Sequence, residues 1–489
     1  MRHAYLVVAL ASALAACTVV GPDYERPQLD VPSAWRVDYP QAAELANARW
    51  WERFDDAALN DLIESALREN RDLRAAAARV DRFIGTLRAT RAQFYPQIGY
   101  GLDASRNRAT EKGPTPLPPG TDPWYSLYQG SLGAVWQIDL FGRVQREAEA
   151  AQAQVLASEQ GRRGVVLSVV TSVAASYIAL RALDRQLEIS QATEKNYAET
   201  LRIFDLRYKS GVVSQVELSQ IRSQYEQARA AVPVLERQIA AQENLLSILL
   251  GGSPGTIRRG KSIDALLAPG IPAALPSSLL ERRPDVLQAE QNLVTANANL
   301  GVAKSLYYPT ISLTGVLGLA SAALGDLLSS GAAVATLGAG LSGPIFTGGA
   351  IEGQEFSAEA ARRESLEFYR QVVLNALRET NDALVGTDKR TREAEAQQRR
   401  VEALREYARL SRLRFDNGYA GYLEVLYAEN ELFSGELTAV RASADRLTEY
   451  VNVYKAVGGG WLDEADRLTP KAQGFVDRGQ TPVDKSAIR

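Results

Sequence analysis

The sequence predicts an α+β membrane protein in which long antiparallel helices of coiled-coil type carry four β-strands, the whole built from two copies of one unit. Three observations predict it. A set of short motifs recurs at an offset of about 207 residues, the mark of internal duplication. Two proline-free helical stretches are several times longer than a globular domain is wide. Four further segments alternate apolar and polar residues over about ten positions, the length of a tilted membrane strand.

Composition and the N-terminus narrow the class. The chain has 489 residues, 46% hydrophobic and 23% charged, with 55 basic against 58 acidic residues and a net charge of -3. That balance argues against disorder and against a nucleic-acid partner. Arg2 and His3 precede an apolar run from residue 6 to 16 that is too short to span a bilayer and reads as a secretory signal, residues 1-16. It closes on Leu14-Ala15-Ala16-Cys17, which resembles the lipobox of bacterial lipoproteins, in which the cysteine takes the lipid and becomes the first mature residue. An ordinary cleavage site beside a chance cysteine is the alternative. Thr18, in place of an aspartate, resembles the signal for outer-membrane sorting. His3 and Cys17 are the single histidine and the single cysteine, so cleavage there removes Ser-His-Asp, Cys-His and histidine-based metal chemistry. No enzyme, cofactor or metal is expected.

The duplication organises the rest. Arg207-Tyr208-Lys209-Ser210-Gly211, followed by Val216-Glu217-Leu218, echoes Arg414-Phe415-Asp416-Asn417-Gly418, followed by Leu423-Glu424-Val425. Tyr95-Pro96-Gln97-Ile98 echoes Tyr308-Pro309-Thr310-Ile311, and Leu250-Gly251 echoes Val457-Gly458. Descending helices are expected over 143-209 and 350-416, each about 100 Å long at 1.5 Å per residue. Returning helices cover 214-250 and 422-457, and approach helices 72-94 and 279-306. One returning and one approach helix together nearly match one descending helix, so the two pieces are expected to stack end to end. The alanine-rich run 75-78 suits close helix packing.

In the first strand pair Ile98, Tyr100, Leu102 and Ala104 share a face opposite Gln97, Gly99, Gly101, Asp103 and Ser105. The partner strand sets Tyr128, Leu132, Ala134, Trp136, Ile138 and Leu140 against Gln129, Ser131, Gln137 and Asp139. The second pair sets Ile311, Leu313, Leu317 and Leu319 opposite Thr310, Ser312 and Thr314, and returns through Ala335, Leu337, Ala339, Leu341 and Ile345. A Pro/Gly/Thr-rich loop at 114-123 joins the first pair. A half-buried soluble sheet explains any one strand alone. Four strands cannot close a barrel, and an open edge in lipid leaves backbone groups unpaired at several kcal/mol each. Three copies would supply twelve, hence an expected homotrimer.

Val20-Gly21-Pro22-Asp23-Tyr24-Glu25-Arg26-Pro27, with Leu280-Glu281-Arg282-Arg283-Pro284-Asp285-Val286 and its continuation to Pro309, resembles the TolC-like outer-membrane factors, in particular the lipoprotein branch serving multidrug efflux. The resemblance runs from Cys17 to about Trp461. It implies a helical tunnel below a shared twelve-stranded transmembrane barrel, a palmitate-bearing Cys17, a periplasmic membrane-fusion adaptor and an inner-membrane transporter of the RND type. By the same resemblance the tunnel closes on residue rings near its tip. Leu423 matches the leucine ring, while the position of the family's aspartate holds Tyr427, leaving Glu424 as the nearest acid. Gly211 and Gly418 mark the turns where an adaptor would dock. Packing of Leu423 and Tyr427 into a coiled-coil core is the alternative.

The expected layout is a signal peptide (1-16), a lipid-anchored segment (17-55), a first repeat (56-275, with strands in 96-140, a helical hairpin at 143-250 and a linker), a second repeat (276-460, with strands in 309-346 and a hairpin at 350-457), and a polar tail (461-489). Three motif matches are set aside. Residues 255-262 (GTIRRGKS) have phosphate-loop spacing but follow a helix and a turn, not a strand. Residues 338-343 (GAGLSG) fit the dinucleotide fingerprint but lie in a strand, with Pro344 next. Residues 251-255 (GGSPG) have the nucleophile-elbow pattern, yet read as a helix terminus. The expected function is passive efflux of small toxic compounds across the outer membrane. Type I protein secretion and a non-conducting periplasmic tether are the alternatives.

Overall fold

The computed structural model describes residues 19–29, 49–110, 120–271, 282–458 and 460–475, with Pro32, Trp35, Lys112, Leu117 and Pro118; Cys17 lies outside them. In chain order the elements are α1 (Ala57–Glu69), α2 (Arg71–Arg91), β1 (Gln97–Arg108), β2 (Trp124–Ile138), α3 (Arg143–Lys209), α4 (Gln215–Leu249), α5 (Pro284–Ser305), β3 (Thr310–Ser321), β4 (Ala333–Ser342), α6 (Ala350–Asp416), α7 (Tyr422–Val457) and α8 (Trp461–Asp466). The two long helices α3 and α6 have 67 residues each. The described residues form two units, one from residues up to Pro27, Asp81–Ala157 and Ala289–Phe368, the other from Gln28–Val80, Ser158–Gln288 and the chain from Tyr369 onward.

The first unit holds the sheet. Its strands pair antiparallel in the order β1-β2-β3-β4. The sequence reading grouped them as two hairpins; the structure joins the hairpins through β2 and β3, with Leu132 opposite Leu317 and Trp136 opposite Leu313. Register decides which side chains share a face, because a slip of one residue would invert every one. Tyr100 lies opposite Leu132, and Leu317 opposite Ala335, so one apolar row crosses all four strands: Tyr100, Leu132, Leu317, Ala335. Two strand ends differ from expectation. Leu140 and Ile345 fall beyond Ile138 and Ser342, where the chain turns into α3 and α6 and leaves the ladder.

The N-terminal segment Val19–Pro27 is strapped to this unit. The buried Arg146 on α3 donates from Nε to the Val20 carbonyl (3.2 Å) and from Nη2 to the Gly21 carbonyl (3.1 Å) and Asp23 (2.8 Å). Asn297 on α5 donates to the Pro22 carbonyl (2.9 Å), and Arg26 pairs with Glu290 (3.0 Å).

The second unit holds the main core. Trp50, Trp51 and Phe54 pack with Trp461 and Tyr454 against α1 and the middle of α3, around Val166, Val173 and Ile178. Residues 50–54, at the end of the expected N-terminal segment, lie in this core, and the chain past 460 begins with α8, whose Trp461, Leu462 and Ala465 are buried. The linker behind α4 is likewise packed through Ile257, Ile263 and Leu266.

Each returning helix ends where an approach helix begins. Asn70, next to the start of α2, donates from Nδ2 to the Leu249 carbonyl at the end of α4 (2.8 Å). Arg283, next to the start of α5, donates to the Ala456 carbonyl at the end of α7 (2.8 Å). In both cases a side chain satisfies a carbonyl that the helix end leaves without a partner.

Candidate functional site

At the far ends of α3 and α6 the chain reverses through two turns of the same geometry. Gly211 has φ 71° and Gly418 φ 77°, a left-handed conformation that favours glycine. Val212 N–H donates to the Arg207 carbonyl (2.8 Å), and Tyr419 N–H to the Arg414 carbonyl (2.8 Å), which closes each helix with a six-to-one bond. The structure brings these turns together over one small core. Tyr422 on α7 packs on Phe204 (4.5 Å between centroids) and Phe415 (5.1 Å), with the Arg207 guanidinium 5.7 Å from the Phe204 ring. Leu218, Ile221, Val425 and Leu426 complete it.

Leu423 and Tyr427 point away from that core. They are 62% and 60% exposed, while Tyr422, Val425 and Leu426 on the same helix are buried. Within one protomer they are therefore not core residues. Together with Tyr407, Gly421 and Glu424 they line an open recess of about 490 Å³. Glu424 accepts from Arg414 across the turn (2.9 Å).

One residue here escaped sequence reading. Glu429 sits on the buried stripe of α7, seven residues after Tyr422 and four after Val425, and lines a groove of about 700 Å³ with Asn196, Tyr197 and Arg412. Burial pushes its carboxyl above the usual carboxylate range, and Arg412 at 3.5 Å opposes the shift. The signal was available: a carboxylate in phase with an apolar stripe.

The set-aside motifs resolve as internal structure. Within 255–262, Gly260 N–H donates to the Tyr177 hydroxyl (2.8 Å) and Lys261 N–H to Asp56 Oδ2 (2.9 Å), while Lys261 Nζ pairs with Asp55. Two amides that would have to face a phosphate are thus bonded inside the protein. Gly251 and Gly252 close α4 by donating to the Ile248 and Ser247 carbonyls, and 338–342 lie within β4.

The sheet carries the second candidate surface. Ile98, Tyr100, Leu102, Leu132, Leu317, Leu337 and Leu341 are exposed, Leu337 at 90%. A soluble domain rarely leaves a continuous apolar face of this extent uncovered. Four-stranded apolar wall and 67-residue helices together define the class of outer-membrane channels that continue into long helices.

Comparison with known proteins narrows this further. The model of the outer membrane efflux protein family matches residues 62–252 and 275–459, and the chain belongs to that family. The chain is 32% identical over 474 residues to the probable efflux pump outer membrane protein TtgC of Pseudomonas putida, covering 95% of this chain and 97% of the relative. To the cation efflux system protein CusC of Escherichia coli it is 32% identical over 460 residues, 92% and 97% covered. Its fold matches the open state of the MtrE outer membrane channel of Neisseria gonorrhoeae with TM-score 0.82, 28% identity, and 93% and 100% coverage. The protein is an outer-membrane efflux channel.

Proposed function

We propose that three copies assemble so that their sheets close one twelve-stranded barrel, with the doubled helical unit below it forming a tunnel, and that the assembly passively conducts small toxic compounds delivered by a periplasmic adaptor and an inner-membrane transporter of the RND type. The observation that carries this is the register. One apolar face runs across four strands whose outer members, β1 and β4, each have one edge that no strand pairs with among the described residues. Such a wall is stable in lipid only when its edges pair with other copies. The relatives' printed names span toluene, antibiotic and cation efflux. Drug susceptibility of a deletion strain, restored by the gene, tests the efflux role; unchanged susceptibility to every compound class together with zero conductance in a planar bilayer would leave the tether reading.

Three finer assignments belong to this reading. Gly211 and Gly418 mark the adaptor-docking tips. Leu423, Glu424 and Tyr427 form the gate, since three-fold symmetry would turn these exposed residues into rings. Conductance of the Leu423→Ala/Tyr427→Ala double variant should rise while the trimer persists; loss of the trimer with no rise would assign the two residues to packing between copies. Cys17 carries the lipid. Two residues separate it from Val20, whose amide donates to the Phe141 carbonyl just beyond β2 (3.1 Å). Mass spectrometry of the mature N-terminus checks this, and an unmodified terminus would refute it.

A further inference from the structure

The duplication lets one half of the sheet predict what the edge of the other half must meet. An apolar–aromatic pair precedes each long helix, Leu140-Phe141 before α3 and Ile345-Phe346 before α6, and glycine at positive φ follows it in both places (75° at Gly142, 58° at Gly348). A Tyr-Pro precedes the first strand of each hairpin: Tyr95-Pro96 enters β1 at Gln97, and Tyr308-Pro309 enters β3 at Thr310.

Inside the chain these two motifs meet once. Phe141 of the first repeat stacks on Tyr308 of the second, with ring centroids 4.8 Å apart and planes 28° from parallel. The stack sits just past the Ile138–Ile311 pair of the β2–β3 ladder, and with Leu140 and Pro309 it lines a crevice there. The second repeat carries the same pair, but its Phe346 is 90% exposed, and Tyr95 of the first repeat is 69% exposed. They stand beside opposite edges of the sheet, β4 and β1, three strand spacings of about 4.8 Å apart, so one copy does not bring them together. Strand direction repeats as well. β4 runs into α6 as β2 runs into α3, and β1 leaves its Tyr-Pro as β3 does, so β1 of a second copy can add to β4 antiparallel, as β3 adds to β2.

We propose that Phe346 of one copy stacks on Tyr95 of the next, with Ile345 packed beside it, and that this aromatic contact fastens the seam between copies as Phe141–Tyr308 fastens the seam between repeats. The contact rests on the three-copy barrel proposed above. It is heterologous: each copy presents Phe346 to one neighbour and Tyr95 to the other, which closes a ring. Two rings exposed on the single copy become buried, and a stacked aromatic pair gains beyond that burial.

The experiment introduces Phe346→Cys and Tyr95→Cys into the full-length chain and treats the detergent-purified protein with a short bifunctional thiosulfonate. The double variant should run as covalent dimer and trimer on denaturing gels. Each single variant, and Phe346→Cys paired with Trp124→Cys at the far end of β2, should stay unlinked, which also controls for Cys17. Native mass separates the two ideas. A wild-type chain that is monomeric overturns the barrel and the seam together; a trimer whose double variant gives no more link than the Trp124 pair overturns the seam and leaves the barrel standing. Phe346→Ala keeps the test open should the cysteines prevent assembly. Its trimer should dissociate about tenfold faster than wild type on dilution in detergent, with Phe346→Trp close to wild type. Dissociation of Phe346→Ala at the wild-type rate overturns the seam and places Phe346 against lipid or solvent.

Discussion

Leu317→Arg tests the lipid-face assignment most directly. Leu317 is 66% exposed and lies between Leu132 and Ala335 in the apolar row, near the middle of the 12-residue β3. A strand of that length tilted near 40° spans roughly 30 Å of membrane normal, so Leu317 is within about 5 Å of the midplane, where an outward arginine costs about 2 to 4 kcal/mol. A mid-range cost of about 3 kcal/mol lowers the folded-to-unfolded ratio about 150-fold. Leu313 lies in the same row but nearer the helix end, roughly 6 Å from the midplane, and Leu313→Arg should cost less. Thr314, in the opposite row across from Val135 and Gly338, would face the lumen, and Thr314→Arg should cost about 1 kcal/mol or less. The assay is guanidinium-induced loss of heat-modifiable β-structure in lipid vesicles, comparing midpoints at equal slope. A Thr314→Arg variant as damaged as Leu317→Arg, or one more damaged, would refute the inside–outside assignment.

The remaining expectations concern the helical unit and its turns. Burial alone would push the Asp466 carboxyl up, but hydrogen bonds from Arg162 and Lys471 outweigh it and hold it down to about 2. Its contribution of about 2 kcal/mol is thus complete above pH 4 and fades as pH falls towards 2; hydrogen exchange of α8 should show that loss in wild type and not in Asp466→Asn. Asp56 caps α1 through Ala58 N–H (2.8 Å) and also accepts from Tyr177 (2.9 Å) and Lys261 N–H (2.9 Å), so Asp56→Ala should lose about 3 to 5 kcal/mol by chemical unfolding, and Tyr177→Phe about 1 to 3. At Gly418 a Cβ would meet nothing within 4 Å, so Gly418→Ala should cost only the left-handed backbone penalty of about 1 kcal/mol; a thermal shift beyond that would reveal a contact with another copy.

Much of this was legible because it follows from period. The alternation Ile98, Tyr100, Leu102 and the length of 143–209 appear in the structure as a strand face and as a helix with the same ends. What was not legible depends on distant partners. Nothing local marks Trp50 and Trp51 as core; they are buried because Tyr454 and Trp461, some four hundred residues later, close over them. The same contact buries Trp461 at the start of α8. The β2–β3 pairing also escaped, since no hairpin turn connects those strands; it rests on the match between Leu132 and Leu317. Glu429 was passed over because its role needs Tyr197 and Arg412 from other helices.

The two turns share backbone geometry but differ in how the next helix starts, and that difference bears on which one moves. Ser214 begins α4 with a full capping box: its hydroxyl accepts from Glu217 N–H (3.3 Å) while Glu217 accepts from Ser214 N–H (2.8 Å). Gly421 begins α7 with no side-chain cap. A cap of that kind is worth about 1 kcal/mol, so the first turn of α7 frays at lower cost than that of α4. Besides the packing of Tyr422, Val425 and Leu426, the Arg414–Glu424 pair holds it, whose side chains are 57% and 31% exposed and which therefore contributes at most about 1 kcal/mol, less in salt. The proposed gate residues Leu423, Glu424 and Tyr427 all lie in this uncapped start of α7, exposed or half-exposed beside the packed Phe204–Tyr422 core, so under that proposal the second turn, and not the capped first one, is where side chains would change position.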